Sequence, residues 1–204
     1  MTESNPNSRL EAFCDGVFAI ALTLLIIDVK ISSSSAIKTT DDLWRALIHI
    51  APSVFAFVLS FTIILITWVN HHGFLKLVNK SSASFIFANG FLLFSVVFIP
   101  FPTALLGEFL LTDHSSPAVI LFELTMATQA IGWILITGAA LKGQLTKNEK
   151  SLAIMQKNGK FGYYAVVLYS LSAVIAFWIP FIIAVATTLI WIYWLILAIT
   201  LKHE

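Results

Sequence analysis

Charged residues are scarce in this sequence. They make up 11% of its 204 residues, whereas 58% are hydrophobic and the mean hydropathy is +0.90. Because soluble domains use roughly a quarter charged residues, this composition excludes an ordinary soluble protein and indicates an integral membrane protein. The formal net charge is only +1. A nucleic-acid binder would carry a concentrated basic surface, so we expect no nucleic-acid partner.

Other absences narrow the function further. Cys14 is the single cysteine, so no disulfide can form within the chain. The sequence has no T-V-G-Y-G string and no span with an arginine at every third position, which excludes the usual potassium filter and the usual voltage sensor. It also has no P-loop, G-x-S-x-G or H-E-x-x-H motif. We therefore expect neither an ATP-driven pump nor an enzyme, and no cofactor.

Six long apolar segments predict an all-α integral membrane protein with six transmembrane helices in a single domain, residues 1–204. A helix of about twenty apolar residues is long enough to cross a bilayer. The stretch 161–201 is too long for one crossing, so we predict a turn at Pro180. Residues 142–160 are polar and are predicted to form a connection. The predicted spans are about 9–29, 43–69, 84–106, 118–141, 161–179 and 181–201.

The distribution of charge predicts the orientation. Six spans place both termini on one side, and nine of the 12 Lys and Arg residues then fall on that side. The positive-inside rule therefore predicts cytoplasmic termini. The first eight residues lack a basic region and a cleavage site, so we expect the first span to be retained in a multi-pass protein of the cell membrane. Glu108, Asp113 and Glu123 are expected on the solvated outer surface.

The first span has two distinctive faces. On a helical wheel of about 100° per residue, Ile20, Leu24 and Ile27 form a narrow aliphatic stripe. In an arbitrary span such a stripe is usually a lipid-facing or packed surface, but it could also face a symmetry axis and close a pore. A band of small residues beside the stripe would let neighbouring helices approach closely. This band contains Ala12, Gly16, Ala19 and Thr23.

The first span begins with Arg9 and carries Asp15 further inside. A charge at such a position requires a partner or marks an ion pathway. The two are six residues apart and are not stacked on a helix, so donors from other spans are better partners for Asp15. We favour a structural polar cluster over an ion site at Asp15. Adjacent histidines on a helix point about 100° apart, so we expect no metal site. The candidate partners are Trp68, Asn70, His71, His72 and Asn89.

Three motifs occur in the first half of the sequence. The first, R-L-E-A-F-C-D-G, resembles the R-x-x-x-F-S-D signature of the transmembrane protein 175 family, in which Arg9, Phe13 and Asp15 match. The strings W-V-N-H-H and I-P-F-P-T-A-L-L-G-E-F extend the resemblance over the first three spans. Cys14 stands where the family usually has serine. Because a thiol is a weaker donor than a hydroxyl, we expect a looser local hydrogen-bond network here.

The resemblance implies a cation channel that favours potassium and conducts passively through a pore lined by the first span. Ile20, Leu24 and Ile27 would form the constriction and the gate, and Thr23 would be the nearest hydroxyl. One six-span unit per chain implies a homotetramer in the lipid bilayer. The permeating partners would be potassium and other monovalent cations.

The alternative function is a proton-coupled secondary cation transporter, with Asp15 and His72 as the proton relay. Such transporters tend to show inverted repeats and paired broken helices near the middle of the membrane. No repeat is evident in this sequence, and the acid lies near one end of its span. We therefore favour the channel.

Overall fold

The computed structural model describes residues 7–30 and 37–200, with the side chains of all of these except 28 and 197–200. Within these ranges the secondary structure is helical. One isolated antiparallel β-bridge joins Val78 to Thr146. The prediction of an all-α fold is confirmed at this level. The helices are α1 (Ser8–Leu24), continued by a 3-10 turn (Leu25–Asp28), α2 (Thr40–His49), α3 (Ala51–Leu75), α4 (Ala83–Phe98), α5 (Pro100–Phe109), α6 (Ser115–Lys142), α7 (Glu149–Ile175) and α8 (Pro180–Thr200).

Four helical stretches in the described ranges are long and apolar enough to cross a membrane. A fifth, shorter apolar stretch, Pro180–Ile196, forms most of α8. The count of six spans and the cytoplasmic termini stay predictions, and residue 201 of the last predicted span lies outside the described residues. The four stretches are Ser8–Ile27, Ala51–Leu75, Ala83–Phe109 and Ser115–Lys142.

The second predicted span, 43–69, is divided between α2 and α3 in the structure. Helix α2 ends at His49, and α3 begins at Ala51 with Pro52 in its first turn. Proline is tolerated there because the first-turn N–H groups have no intrahelical partner. Helix α2 is amphipathic and buries none of its side chains within one subunit. The chain therefore restarts its helix near Pro52 instead of continuing through it.

A capping box begins α2. The Thr39 hydroxyl accepts the Asp42 backbone N–H at 3.1 Å, and the Asp42 carboxylate accepts the Thr39 N–H at 2.9 Å. Two otherwise unpaired backbone donors are satisfied in this way. The neighbouring Thr39 hydroxyl first, and then the Lys38 and Thr39 backbone N–H groups that donate to the carboxylate, hold the pKa of the Asp42 carboxyl below its usual value.

The third predicted span, 84–106, corresponds to two helices, α4 and α5, which meet at Ile99 just before Pro100. Helix α5 packs closely on α3. The hydroxyl groups of Ser60 and Thr103 lie 2.5 Å apart in the buried contact between these helices. In membrane proteins such interhelical bonds and small residues hold helices together, because lipid provides no hydrophobic driving force.

Helix α7 begins earlier than the sequence predicts. The predicted polar connection 142–160 becomes helical at Glu149, because the Asn148 side chain caps the helix by accepting the Ser151 N–H at 2.8 Å. Ser151 and Met155 are buried on one side of this polar segment. The chain turns back between Ile175 and Pro180, where α8 begins.

Helix α6 lies at the centre of the subunit and packs against α4, α5, α7 and α8. In its most apolar window 56% of the residues are buried, against 22% for the stretch that contains α1. The two helices therefore have opposite positions, with α6 inside the subunit and α1 at its edge. Much of the surface of α1 is left for lipid or for other copies of the chain.

A candidate pore-lining face and its polar supports

One face of α1 packs into its own subunit. Cys14, Phe18, Ala21 and Leu25 are at most 1% exposed and recur at intervals of four, three and four residues. This spacing places them on one side of a helix. They belong to the main apolar core together with residues of α3, α4 and α6. The buried face fixes the direction in which the remaining residues of α1 point.

The predicted stripe lies on the exposed side of α1. Ile20 is 59% exposed, Leu24 38% and Ile27 57% in the single subunit. Ile27 belongs to the 3-10 turn and not to the α-helix. Side chains three residues apart are eclipsed in a 3-10 helix, so Leu24 and Ile27 share a direction although the helix tightens between them.

The small residues of the stretch are also on the exposed side. Ala12, Gly16, Ala19 and Thr23 are all exposed in the subunit. A Cβ added at Gly16 would meet nothing within 4 Å. The Thr23 hydroxyl donates to the backbone carbonyl of Ile20 at 2.9 Å. The band thus leaves room for a neighbouring helix of another copy.

Asp15 is bound by α3. The Trp68 indole N–H donates to Asp15 Oδ1 at 2.8 Å. His72, one turn further along α3, stacks on Trp68 with ring centroids 6.1 Å apart and planes inclined by 24°. The structure therefore brings together three of the residues that the sequence indicated for this region, and it does so at the surface of the subunit.

A second polar contact lies just inside the first and joins three helices. Asn89 of α4 donates its Nδ2–H to Cys14 Sγ at 3.2 Å, and its Oδ1 lies 2.7 Å from Nε2 of His71. Since the amide oxygen can only accept, His71 carries the proton on Nε2. All three residues are at most 1% exposed. The His71 ring also packs on Phe18, with centroids 5.4 Å apart.

Two residues of the signature motif, Arg9 and Phe13, and one candidate of the polar cluster, Asn70, lie apart from these contacts. Arg9 is exposed at the beginning of α1, and Phe13 is 61% exposed on the outer side of that helix. Asn70 is on another side of α3, in a groove with Gln129 and Trp133. The polar cluster is therefore smaller than the sequence indicates.

The expectation that Glu123 is solvated on the outer surface is wrong. Its side chain is 0% exposed in the centre of the subunit, and its Oε1 accepts the Thr187 hydroxyl at 2.6 Å. A second buried pair, Gln129 and Thr67, was also missed, with Nε2 3.3 Å from the hydroxyl oxygen. The sequence feature that could have indicated burial is the position of Glu123 inside the mostly apolar string F-E-L-T-M, since an acid within a span requires a polar partner.

Comparison with known proteins identifies the family. The family model described as the endosomal/lysosomal potassium channel TMEM175 matches residues 9–100. The crystal structure of a lysosomal potassium-selective channel TMEM175 homolog from Chamaesiphon minutus superposes with a TM-score of 0.81 and 33% identity, covering 94% of this chain and 97% of that one. The chain belongs to the TMEM175 family. It is thus a multi-pass membrane protein of an ion-channel family and not of an enzyme family.

Two curated TMEM175 relatives are similar over part of their length. A potassium channel of Chamaesiphon minutus is 42% identical over 120 residues, which are 59% of each chain. A potassium channel of Streptomyces collinus is 39% identical over 135 residues, 63% of this chain and 64% of that one. The matched parts therefore span about three fifths of these relatives.

Proposed function

We propose that the chain is a potassium-favouring cation channel that conducts passively and whose pore is lined by α1 from four copies. The observation that carries the proposal is the orientation of α1. Its buried face is anchored in the subunit, while the Ile20, Leu24 and Ile27 stripe and the small-residue band remain exposed. Four copies around an axis would cover this exposed side, and the relatives are named potassium channels.

In this proposal the stripe forms the constriction and the gate. Rings of Ile20, Leu24 and Ile27 would narrow the pore and stop ions by excluding water. No carbonyl filter string is present in the sequence, so we expect modest selectivity for potassium over sodium. Thr23 would place a hydroxyl oxygen beside the constriction.

The polar contacts of α1 hold the pore helix in place. The Asp15–Trp68 bond and the Cys14–Asn89–His71 contacts tie α1 to α3 and α4 on the side away from the stripe. Polar groups bonded in this way orient neighbouring helices in a membrane. We therefore assign these residues to assembly and to positioning, and we do not place an ion site at Asp15.

The proposed topology has six spans, cytoplasmic termini and a location in the cell membrane. Two loops rich in lysine support it. The Asn79 N–H donates to Leu145 O at 3.0 Å and the Lys147 N–H to Leu77 O at 2.9 Å, while Asn7 Nδ2 lies 3.4 Å from Val78 O. The beginning of α1 and both basic loops thus lie at one end of the subunit, as the positive-inside rule requires of a cytoplasmic end.

A flux assay tests the function. Purified protein in liposomes loaded with potassium should take up tracer rubidium without ATP and with equal pH on both sides, whereas liposomes without protein should not. Cross-linking in the same membranes should give a tetramer as the largest discrete species. Uptake that requires an imposed proton gradient would instead identify the proton-coupled transporter, and absence of uptake under both conditions would contradict both functions.

A further inference from the structure

Glu123 lies in a buried site that the proposed pore does not use. It is on α6, the central helix, whereas the pore is assigned to α1. Its Oε1 accepts the hydroxyl of Thr187 from α8 at 2.6 Å. Within the described part of the chain, Oε2 is fully buried and has no hydrogen-bond partner. A carboxyl group is thus enclosed between two helices with one of its two oxygens unpaired.

The groups around Glu123 are neutral. Helix α8 contributes Thr187 and, one turn further, Trp191, whose indole is also buried. Helix α7 contributes Tyr169, which is buried in the same core. Phe122 and Met126 of α6 are buried on either side of it in the sequence. No Lys, Arg or His of the described residues forms an ion pair with Glu123.

This environment disfavours a carboxylate. A buried negative charge is tolerated when a cation or several donors compensate for its lost hydration. Glu123 has one hydroxyl donor and no cation, and the lipid around the subunit adds further low-dielectric material. A neutral carboxylic acid avoids the desolvation cost of a buried charge. Its proton is bound to one oxygen, and the Thr187 hydroxyl donates to the other.

We propose that Glu123 is a proton-binding site that carries its proton at neutral pH and in that form joins α8 to α6 through Thr187. Loss of the proton at alkaline pH leaves an uncompensated charge between the helices and weakens their packing. Because Glu123 lies on α6 and not on the proposed pore helix α1, we expect its proton to affect the stability of the subunit. The inference does not rest on ion conduction.

A hydrophobic carbodiimide tests the protonation state in the intact protein in liposomes. The reagent reacts with a protonated acid in apolar surroundings: the O–H adds across one C=N bond, so that the proton moves to a nitrogen, the oxygen bonds to the central carbon and no group leaves. We expect peptide mass mapping at neutral pH to find the adduct on Glu123 and not on exposed Glu108 or Asp113. Absence of the adduct on Glu123 would overturn the proposal.

The pH dependence of thermal unfolding in detergent provides the second test. Glu123→Gln is neutral at every pH and can still accept the Thr187 hydroxyl. The unfolding temperature of the wild type should fall more than that of E123Q as the pH is raised from mildly acidic to alkaline values, since the folded wild type keeps a proton that its unfolded form has already released. Thr187→Val removes the hydroxyl that bonds to Glu123. It should therefore lower the unfolding temperature more when introduced into the wild type than when introduced into E123A, where that bond is already lost. Parallel curves for the wild type and E123Q would overturn the proposal even if E123Q is somewhat less stable.

Discussion

Gly132 of α6 lies directly against the backbone of Leu92 in α4. A Cβ added at Gly132 would stand 2.9 Å from Leu92 Cα, a contact that side-chain rotation cannot relieve. Glycine therefore sets the approach of the central helix to α4, which carries Asn89. Close approach of this kind is how helices pack in lipid.

Gly132→Ala should destabilise the protein by about 1–3 kcal/mol, because the added methyl group forces the two helices apart. Gly138→Ala on the same helix is the matched control, since a Cβ there meets nothing within 4 Å. In the control the gain in helix propensity, up to about 1 kcal/mol, should be retained. Thermal unfolding in detergent measures both. Equal stability of the two variants would show that the contact does not limit helix packing.

Ile20→Ala and Leu24→Ala should each raise tracer flux several-fold in liposomes, because a wider, less apolar ring is easier to hydrate. Leu171→Ala is the control: Leu171 is 56% exposed on α7 and lies outside the proposed pore. Flux should be unchanged in that variant. If neither α1 variant changes flux at equal protein density, the constriction lies elsewhere.

Removing the indole donor tests the role of Asp15. Trp68→Phe keeps an aromatic ring but loses the bond to Asp15 Oδ1, so we expect a loss of about 1 kcal/mol in unfolding free energy at this partly solvated site. The exposed Trp178→Phe should cost less. A double-mutant cycle with Asp15→Ala, which removes the acceptor, isolates the interaction. If Asp15→Ala leaves both tetramer assembly and conductance intact, Asp15 is neither a structural residue nor an ion site.

The buried contact around Asn89 predicts a contrast between two variants. Asn89→Leu leaves the His71 N–H without an acceptor and should destabilise the protein by about 1–3 kcal/mol. Cys14→Ser restores the serine of the family signature and offers Asn89 a stronger acceptor, so its stability should equal or exceed that of the wild type. Thermal unfolding compares the two. A serine variant as unstable as Asn89→Leu would mean that the site selects for the thiol.

Acid should loosen the beginning of α2. The pKa of Asp42 is lowered in the folded state, chiefly by the Thr39 hydroxyl. The capping contribution is therefore present above the ordinary pKa of an aspartate and is lost as the pH falls through the lower, folded value. Amide hydrogen exchange of residues 40–49, corrected for intrinsic rates, should rise over that pH interval. Asp42→Asn should abolish this rise, and a rise that persists in the variant would contradict the capping role.

The sequence makes its most specific predictions about the site in α1. Its aliphatic stripe and the need of Asp15 for a donor follow from the helical period and from the cost of a charge in a span. The tryptophan at position 68 was among the candidate donors, and the structure places its N–H on Asp15. Whether the stripe faces a pore stays a prediction, because it depends on other copies of the chain.

What the sequence could not predict depends on contacts between distant segments. Glu123 is buried where Thr187 of α8, 64 residues away, packs against it and donates a hydrogen bond. No local sequence pattern predicts that pairing. The early start of α7 depends on the Asn148 cap, which outweighs the polar composition of the segment. The predicted spans 43–69 and 84–106 run through Pro52 and Pro100, whereas in the structure each proline lies in the first turn of a new helix, α3 or α5.

The bond from Thr23 to the Ile20 carbonyl has a consequence for charge selectivity. Its single hydroxyl proton is committed to the helix backbone, so toward the proposed lumen the side chain can present lone pairs and no donor. Four such oxygens around an axis would form a ring of partial negative charge. This ring would attract a partly dehydrated cation and repel chloride. On this basis the wall itself would discriminate by sign, without any formal charge at that level.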